Sequence, residues 1–586
     1  MKKMMLNEKY EDNEIRLKEN VLISCLNCGQ KCKIGPDGIE TVVSYSSGNM
    51  GRRAEYDLFG RCVCEKCGNE ISYRQHVSEY PDSCIESVDN PKCNGGKLIQ
   101  KPSFEIVLPD YVITTDEYDR TDALSIEAYS QKLVGKTFRQ IWDEDDEKKM
   151  IASEVKTAYG TSTVLEKKRN KGNLGQIIEE KFFHYDCNGE SRADFYEAGV
   201  ELKVSPFRVN RDGTLSAKER LVLTMIDYCR VVDETFENSH FWEKSKLILL
   251  VYYQYMSEIR DNLDYKIEYS RLFSPPERDM RIIKQDFDVI VSKIKNGKAH
   301  ELSEGDTLYL GAATKAATSN NSRKQPFSDL PAKPRAFVFK TSYMTYVLNN
   351  YIVPGRVTYE PIIQGESVDS LEKYVVDRIN EYRGCSVKEL CWKFDIIPDK
   401  KPKNLEAMLA FRMLGVKGNH AEEFVKAGIV VKTIRIEKNS RIKESMSFPT
   451  FRFKELIEEE WDDSTFGNYL RETRFLFVVY KYDDSELVLK GCQFWNIPYD
   501  DLEMQVRKVW EKTKQIIING LKVEVINGIR RNNLPKATEN PVCHVRPHAQ
   551  NSHDTYELPD GRHYPKQCFW LNNTYIYSQL DERLKN

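Results

Sequence analysis

The sequence has no long apolar run and no excess of positive charge, and each absence excludes a class of protein. No stretch approaches the roughly 18 uninterrupted apolar residues that a membrane span needs. The first twenty residues lack the apolar core of a secretory signal, so we expect a cytoplasmic protein. The 87 lysines and arginines are outnumbered by 90 acidic residues, which excludes a uniformly basic surface. Any contact with nucleic acid must therefore come from local basic clusters.

The chain is too long for a single hydrophobic core. At 586 residues it should hold about three or four compact units, since domains usually contain roughly 100–200 residues. A hydrophobic fraction of 40% and a charged fraction of 30% are typical of globular proteins. Eight of the 15 cysteines precede residue 94, and in a reducing compartment such a cluster favours metal binding over disulfides.

Two similar turns in this cysteine-rich region predict a tetrahedral zinc site. Each turn has the pattern Cys-x-x-Cys-Gly, and 35 residues separate Cys28 from Cys64. Two pairs of thiolates at such a spacing suit a structural Zn²⁺ ion. The predicted ligands are Cys25, Cys28, Cys64 and Cys67.

The residues between the two turns predict short β-strands. Residues 38–45 and 56–60 are rich in β-branched and aromatic side chains, so we expect a small zinc-ribbon-like domain over residues 1–105. A second metal site stays open as an alternative to reduced, buried thiols. Its candidate ligands are Cys84 and Cys93 together with Cys32, Cys62 or His76.

A segment of alternating polarity carries the candidate catalytic residues. Between Val200 and Val204 charged and aliphatic residues alternate, which places Glu201 and Lys203 on one face of a β-strand. Asp194 and Glu201 offer hard anionic oxygens to Mg²⁺, which can neutralise a scissile phosphate and lower the pKa of a bound water. Lys203 can orient that water and stabilise charge on phosphorus. A simple ion pair on an amphipathic strand would have the same short pattern.

Further motifs around this strand resemble a known family. In chain order they are Lys171-Gly-Asn-Leu-Gly-Gln-Ile-Ile-Glu179, Ala193-Asp194-Phe195, Gly199-Val-Glu201-Leu-Lys203, Glu237-Asn-Ser-His-Phe-Trp-Glu-Lys244 and Leu308-Tyr-Leu-Gly-Ala-Ala-Thr-Lys315. In order, spacing and residue type they resemble the MutH-type endonucleases. This family comprises the mismatch-repair nicking enzyme MutH and the Sau-three-A type of type II restriction enzyme, which cleave at GATC. The resemblance covers residues 110–352.

The resemblance implies an α/β, restriction-endonuclease-like core that hydrolyses double-stranded DNA. It implies that Asp194 and Glu201 hold the catalytic Mg²⁺, with Glu179 as a supporting acid. Lys203 and Lys244 would stabilise the transition state.

The resemblance also implies where the DNA sequence is read. Lys315 would lie on the base-reading loop of residues 110–352. Val338 stands where the family has a DNA-reading tyrosine. This departure concerns the reading of GATC and leaves the residues expected for cleavage in place.

The second half of the chain repeats elements of the first. Residues 421–432 parallel residues 193–203, and the next strand begins 43 residues after Lys203 and 42 residues after Lys432. A helix that ends at Asn519-Gly520 repeats the helix that ends at Asn296-Gly297. We therefore expect a MutH-like core duplicated in tandem. The second copy should cover residues 370–586, after a linker at residues 353–369.

The second copy lacks the catalytic residues but keeps a DNA-binding segment. Val430, Ala410 and Glu472 take the places of Glu201, Glu179 and Lys244. Glu423 can replace Asp194, but one carboxylate in an apolar setting is a poor magnesium site. The terminal segment resembles the family's DNA-reading loop, and its candidate DNA-binding residues are Arg546, His548, Asn551, Tyr564 and Lys566. We expect this copy to bind a second DNA site and stimulate cleavage allosterically.

Three functions are compatible with these patterns. A type II restriction endonuclease, active as a monomer or a DNA-induced dimer, agrees best with the duplication. A repair nickase directed by a partner protein would need only one copy of the core. A non-cleaving DNA-binding regulator would not need the intact set of residues around Glu201.

Overall fold

The structure is a computed structural model that describes most of the chain. The described residues are 14–48, 51–79, 85–100, 102–107, 118–145, 174–185, 192–210, 213–315, 322–353, 359–363, 368, 370–396, 404–526 and 529–586. The start of the motif at Lys171 and the spare cysteine Cys84 lie outside these residues. Within them, no helix combines the length and the apolar character needed to cross a membrane.

The chain forms two compact units, each drawn from separate segments. The first comprises residues 1–224, 233–285 and 344–358. The second comprises residues 225–232, 286–343 and 359–586. The division into domains at residues 1–105, 110–352, 353–369 and 370–586 stays a prediction.

The cysteine-rich part of the first unit consists of β-strands. They are β1 (Glu14–Leu17), β2 (Val21–Cys25), β3 (Lys31–Ile34), β4 (Ile39–Gly48), β5 (Gly51–Val63), β6 (Glu70–Glu79), β7 (Ile85–Val88), β8 (Lys92–Asn94), β9 (Gly96–Gln100) and β10 (Phe104–Val107). β2 lies between β3 and β9, and β5 lies between β4 and β6. Ile23 and Ile71 are buried in one core with Cys25 and Cys64. The strands predicted between the cysteine turns are confirmed, and they are longer than expected.

The candidate catalytic residues lie on and beside a mixed sheet of the first unit. The strands that follow are β11 (Glu201–Val209), β12 (Leu215–Ala217), β13 (Leu221–Met225), β14 (Ile248–Gln254) and β15 (Ile267–Phe273). The order β12-β11-β14-β15 makes β11 parallel to β14, while β12 and β15 run antiparallel to their neighbours. Because β14 is an inner strand, its residues from Ile248 to Tyr252 are all buried.

The remaining strands belong to the second unit. They are β16 (Leu310–Thr314), β17 (Arg323–Gln325), β18 (Ser328–Ala332), β19 (Arg335–Phe339), β20 (Ile429–Ile436), β21 (Met446–Phe451), β22 (Arg474–Asp483), β23 (Glu486–Trp495), β24 (Val523–Ile526), β25 (Ile529–Asn532), β26 (Cys543–Pro547), β27 (Thr555–Glu557), β28 (His563–Pro565) and β29 (Gln567–Leu571). β16 pairs with β19, and β29 lies between β21 and β26.

Helices connect these strands. In chain order they are α1 (Ala123–Ser130), α2 (Leu174–Ile177), α3 (Tyr228–Val231), α4 (His240–Ser245), α5 (Glu277–Lys295), α6 (Thr341–Val347), α7 (Leu371–Asn380), α8 (Val387–Lys393), α9 (Leu405–Met413), α10 (Glu422–Ala427), α11 (Phe453–Glu458), α12 (Thr465–Glu472), α13 (Arg507–Ile518), α14 (Asn573–Ser578) and α15 (Glu582–Lys585). The acidic first turn and basic last turn of α5 complement its helix dipole.

The two halves of the chain share an order of elements. β20 is parallel to β22, and β23 is antiparallel to β22, as β11, β14 and β15 are arranged in the first half. α13 follows β23 as α5 follows β15, and each helix is followed by an antiparallel pair of strands. The mixed α/β architecture is as expected, and the tandem duplication stays a prediction.

Candidate active site

A tight turn brings Asp194 beside the start of β11. Phe195 and Val200 exchange backbone hydrogen bonds of 2.9 and 3.1 Å, which return the chain on itself between the two carboxylates. The Asp194 carboxylate then accepts the backbone N–H of Leu202 at 2.8 Å. Because Val200 and Leu202 are buried in the core, the register of β11 is set and Glu201 faces the same side as Asp194.

Glu201 is at the centre of the site. Its side chain is 2% exposed, and its Oε1 accepts hydrogen bonds from the Nζ atoms of Lys203 at 2.6 Å and Lys244 at 3.4 Å. Its other oxygen, Oε2, is buried and has no hydrogen-bond partner among the residues that the structure describes. A buried carboxylate oxygen without a donor is costly, and it is the kind of ligand atom that a divalent cation satisfies.

The charge balance of the site also suits a cation. Burial and the neighbouring carboxylate of Glu201 raise the pKa of Asp194 to about 6, and Glu179 adds to the effect. The N–H of Leu202 and the ammonium of Lys203 act in the opposite direction. The two lysines alone do not offset the effect of the neighbouring carboxylates on Asp194, so the residues present fit a bound divalent metal ion.

Helical elements position the other two predicted residues. Lys244 lies on α4, whose N-terminus is capped by the hydroxyl of Ser239. Glu179 lies in the π-helical turn Ile178–Phe182 that continues α2. The buried side chains Ile178 and Phe182 anchor this turn in the core and leave Glu179 half-buried. All five predicted catalytic residues thus converge on β11.

The four predicted zinc ligands also converge. The Sγ atoms of Cys25, Cys28, Cys64 and Cys67 all lie within 4.8 Å of one another. The N–H of Gly29 donates to the Cys25 carbonyl at 2.9 Å, and that of Gly68 donates to the Cys64 carbonyl at 2.8 Å.

The glycines explain the shape of these turns. Gly29 and Gly68 have φ values of +73° and +71°, which side chains other than glycine's rarely allow. Burial opposes ionisation of Cys64, but the backbone N–H groups of Cys67 and Lys66 lower the pKa of its thiol to about 6. A preformed set of thiols, one of them readily ionised, fits a tetrahedral metal ion.

The alternative second metal site gains no further ligand from the described residues. His76 is engaged by two carboxylates, with Nε2 3.0 Å from Glu55 and Nδ1 3.3 Å from Asp57. Among the described residues, the one group of at least three His, Cys, Asp or Glu side chains close enough to share a metal ion is the cluster of Cys25, Cys28, Cys64 and Cys67.

The corresponding residues of the second half are used differently. Both carboxylate oxygens of Glu423 accept backbone N–H groups, from Ile362 at 2.8 Å and from Ile363 at 3.0 Å. Lys432 donates to the Ser447 carbonyl at 3.4 Å, and burial lowers its pKa. The acid therefore holds a loop, and the lysine lies in an apolar setting.

The predicted DNA-binding residues of the second half are in three different environments. Arg546 is exposed, and its guanidinium lies 4.9 Å from the centre of the Trp570 ring, which His548 contacts edge-on. Lys566 pairs with Asp554 at 2.5 Å.

The remaining two of these residues have structural contacts. Asn551 accepts the N–H groups of His553 and Asp554, which shapes its turn. Tyr564 is buried and receives a hydrogen bond from Asn532 at 3.0 Å.

The sequence analysis missed a strand and an aromatic residue at this surface. Residues 543–547 were expected to belong to a loop, but they form β26 because they pair with β29. Trp570 lies within the apolar strand Gln567–Leu571, which is typical of core, and the pairing of β26 with β29 places it beside Arg546. In the first half, Lys315 is exposed just after the end of β16.

Known proteins are similar to this chain in sequence. The family model described as DNA mismatch repair enzyme MutH matches residues 183–286, which include β11, β14 and Lys244. The chain therefore contains a MutH-like restriction endonuclease domain. DNA mismatch repair protein MutH of Shewanella baltica (strain OS185) is 26% identical over 200 residues, 34% of this chain and 87% of that protein.

A restriction enzyme matches far more of the chain. The type II restriction enzyme Sau3AI of Staphylococcus aureus is 36% identical over 489 residues, which cover 75% of this chain and 99% of that enzyme. The chain therefore belongs to the Sau3AI family of type II restriction enzymes.

Proposed function

We propose that this protein is a magnesium-dependent type II restriction endonuclease that cleaves double-stranded DNA at GATC. The observation that carries the proposal is the buried Oε2 of Glu201, which lacks a partner within the described part of the chain, beside Asp194 with its raised pKa. Mg²⁺ at these carboxylates would neutralise the scissile phosphate and lower the pKa of a bound water. The target GATC follows from the family resemblance of the motifs.

The other residues have separate tasks in this proposal. Lys203 and Lys244 both donate to one oxygen of Glu201, so they hold that carboxylate in place and supply positive charge to the reacting phosphate. The negative charge of Glu179 attracts the cation to the neighbouring carboxylates and so favours its binding. Zn²⁺ at the four cysteines would stabilise the N-terminal strands without taking part in the reaction.

The second half is proposed to be an inactive copy that binds a second DNA site. The shared order of strands supports a duplication. The use of Glu423 as a backbone acceptor supports the loss of catalysis. The exposed Arg546 stacked on Trp570 supports a surface for nucleic acid.

Contacts within the second unit support coupling between the two DNA sites. The carboxylate of Asp286 accepts the N–H groups of Leu308, Tyr309 and Leu310 at 2.6–2.9 Å, and so holds the start of β16. Ser342, just beyond β19, donates to the carbonyl of Lys426 on α10 at 3.0 Å. The strand that leads to Lys315 is therefore packed in the same unit as the second copy.

A plasmid assay with Mg²⁺ separates this function from the alternatives. We expect linear products from paired cuts in both strands. Nicked circles alone would favour a repair nickase, and a mobility shift without cleavage would favour a DNA-binding regulator. The nickase has less support, because the match to Sau3AI covers 75% of the chain and the match to MutH covers 34%.

Substitution of the carboxylates tests the proposed site. Asp194→Asn and Glu201→Gln should each reduce cleavage by at least about a thousandfold while duplex binding persists, because metal ligands act mainly on the transition state. Glu197→Gln is the matched control, since Glu197 is an exposed carboxylate in the same turn. Cleavage at the wild-type rate by either site variant would reject the assignment.

A further inference from the structure

The turn between β17 and β18 presents a bulky apolar side chain to solvent. Gln325 pairs with Ser328, so the hairpin closes through Pro326 and Phe327 alone. Phe327 is 72% exposed, and Leu330 on β18 is 58% exposed. Single exposed apolar residues are common on protein surfaces, but the backbone of Phe327 is unusual as well.

Phe327 occupies a position that favours glycine. Its φ is +62°, in the left-handed region that the third residue of a type II turn adopts, and proline is common at the second position of such turns. A bulky L-residue reaches this region only at a cost in free energy that glycine avoids. An exposed ring gains little packing in return, so this conformation indicates a role for the ring outside the fold.

The hairpin is held in place by contacts within the second unit. The buried side chain of Gln325 accepts the N–H of Ala299 at 2.8 Å and donates to the Leu330 carbonyl at 2.6 Å. At Gly297, just after α5, an added Cβ would lie 2.5 Å from the carbonyl oxygen of Phe327. The ring therefore projects from an anchored turn, and little conformational freedom is lost when it meets a ligand.

The surroundings of the hairpin favour DNA as that ligand. The chain just after β18 is hydrogen-bonded to the predicted base-reading residue, because the N–H of Lys315 donates to the Pro334 carbonyl at 2.9 Å. Arg323 and Lys324 on β17 are exposed and carry the charge that attracts phosphates.

The size of the apolar tip also favours DNA over a protein partner. Two side chains cover far less than the roughly 1,000 Å² that a specific protein interface buries. One apolar side chain is enough, however, to enter a DNA base step.

We propose that Phe327 is a DNA wedge whose ring packs against a base step beside the target sequence. Arg323 and Lys324 then contact the adjacent phosphates. The ring supplies apolar contact and partial unstacking, and the two cations supply salt-dependent attraction. The inference rests on the proposed function, since it requires that the chain bind duplex DNA.

Phe327→Gly separates folding from binding, because it removes the ring and relieves the backbone. We expect this variant to unfold at the same or a higher denaturant concentration than the wild type. It should nevertheless bind a duplex with one GATC site about tenfold more weakly. Phe327→Tyr keeps the ring and should keep the affinity. Ser440→Gly relieves another exposed left-handed residue, with φ +56°, and should leave the affinity unchanged.

Fluorescence reports the wedge directly. The base analogue 2-aminopurine brightens when it unstacks, and it is placed in turn at each step within and beside GATC. With EDTA present to prevent cleavage, wild-type protein should brighten one step, and Phe327→Gly should not. Arg323→Ala and Lys324→Ala should each reduce the salt dependence of binding by about one phosphate contact, whereas Phe327→Gly should leave it unchanged.

The outcomes distinguish the inference from the proposed function. If Phe327→Gly binds the duplex as tightly as the wild type and brightens 2-aminopurine equally, the proposal of a wedge is wrong. The ring would then remain as a contact for another protein. Failure of the wild-type protein itself to bind the duplex would instead reject the proposed function.

Discussion

At the scale of single residues, the carboxyl group of Asp194 links activity to stability. Burial, and to a smaller extent the charge of Glu201, raises its pKa to about 6. In the unfolded chain its pKa has the ordinary value of about 4. The folded state therefore holds this proton more tightly than the unfolded state. In the metal-free protein, the contribution of this group to the free energy of unfolding therefore rises as the pH falls from above 6 towards 4.

Asp194→Asn should therefore stabilise the metal-free protein at pH 8. Asparagine removes the unfavourable buried charge while its Oδ1 can still accept the N–H of Leu202. The free energy of unfolding should rise by about 1–2 kcal/mol at pH 8, with little difference near pH 4. Denaturant unfolding in EDTA at the two pH values measures this. Glu197→Gln is the control, and a variant less stable than wild type at pH 8 would contradict the stated origin of the pKa shift.

At the scale of elements, the two cysteine turns together form one cluster of four thiols. Each turn is short and closes on backbone N–H groups, and the two turns meet through their thiols, Cys25 with Cys67 and Cys28 with Cys64, beside a small core of β-strands. Bringing four thiols within 4.8 Å of one another is unfavourable unless a cation holds them. The strands from β1 to β10 should therefore depend on bound metal for their stability.

Replacing Cys25 and Cys64 together by serine should remove the zinc. Metal analysis of the purified wild-type protein should find one zinc per chain at these cysteines, and the double variant should contain none there. Limited proteolysis should then cleave the first hundred or so residues faster, because metal binding contributes to folding in such small domains. Cys229→Ser together with Cys385→Ser is the control, since both residues lie outside the cluster. Unchanged zinc content in the Cys25 and Cys64 double variant would show that other residues bind the metal.

At the scale of the whole molecule, we propose that the second half senses a second DNA site. Lys315 and Arg546 belong to the same compact unit, although they come from different halves of the chain. DNA at Arg546 stimulates cleavage only if the active arrangement binds that DNA more tightly. A coupling free energy of about 1–3 kcal/mol corresponds to roughly 5–150-fold stimulation.

A plasmid with two target sites should therefore be cut faster than a plasmid with one. A short uncleavable target duplex added in trans should raise the rate on the one-site plasmid. Arg546→Ala should remove this stimulation and lower basal cleavage less, whereas Lys203→Ala should abolish both. Arg562→Ala is the control, because Arg562 is an exposed arginine paired with Asp560. Equal rates on both plasmids, unaffected by added duplex, would leave the second copy without an allosteric role.

Local patterns predicted the elements that need only neighbouring residues. The Cys-x-x-Cys-Gly turns and the alternation around Glu201 follow from backbone geometry over a few residues, and both are present in the structure. The strand expected 43 residues after Lys203 is also present, as β14.

Other features depend on contacts between residues distant in sequence. Among the described residues, Oε2 of Glu201 has no hydrogen-bond partner, because Lys203 and Lys244 both donate to Oε1. Lys244 lies 43 residues away in the sequence. Strand β26 was mistaken for a loop because its pairing with β29 cannot be read from its own residues. The left-handed Phe327 is imposed by the contacts of Gln325 and Gly297, against the local preference for glycine. The sequence alone therefore determined the family and most elements and predicted the site residues, because these depend on short patterns. Only tertiary packing decided which charges lack partners and which side chains face solvent, because both depend on residues brought together from distant segments.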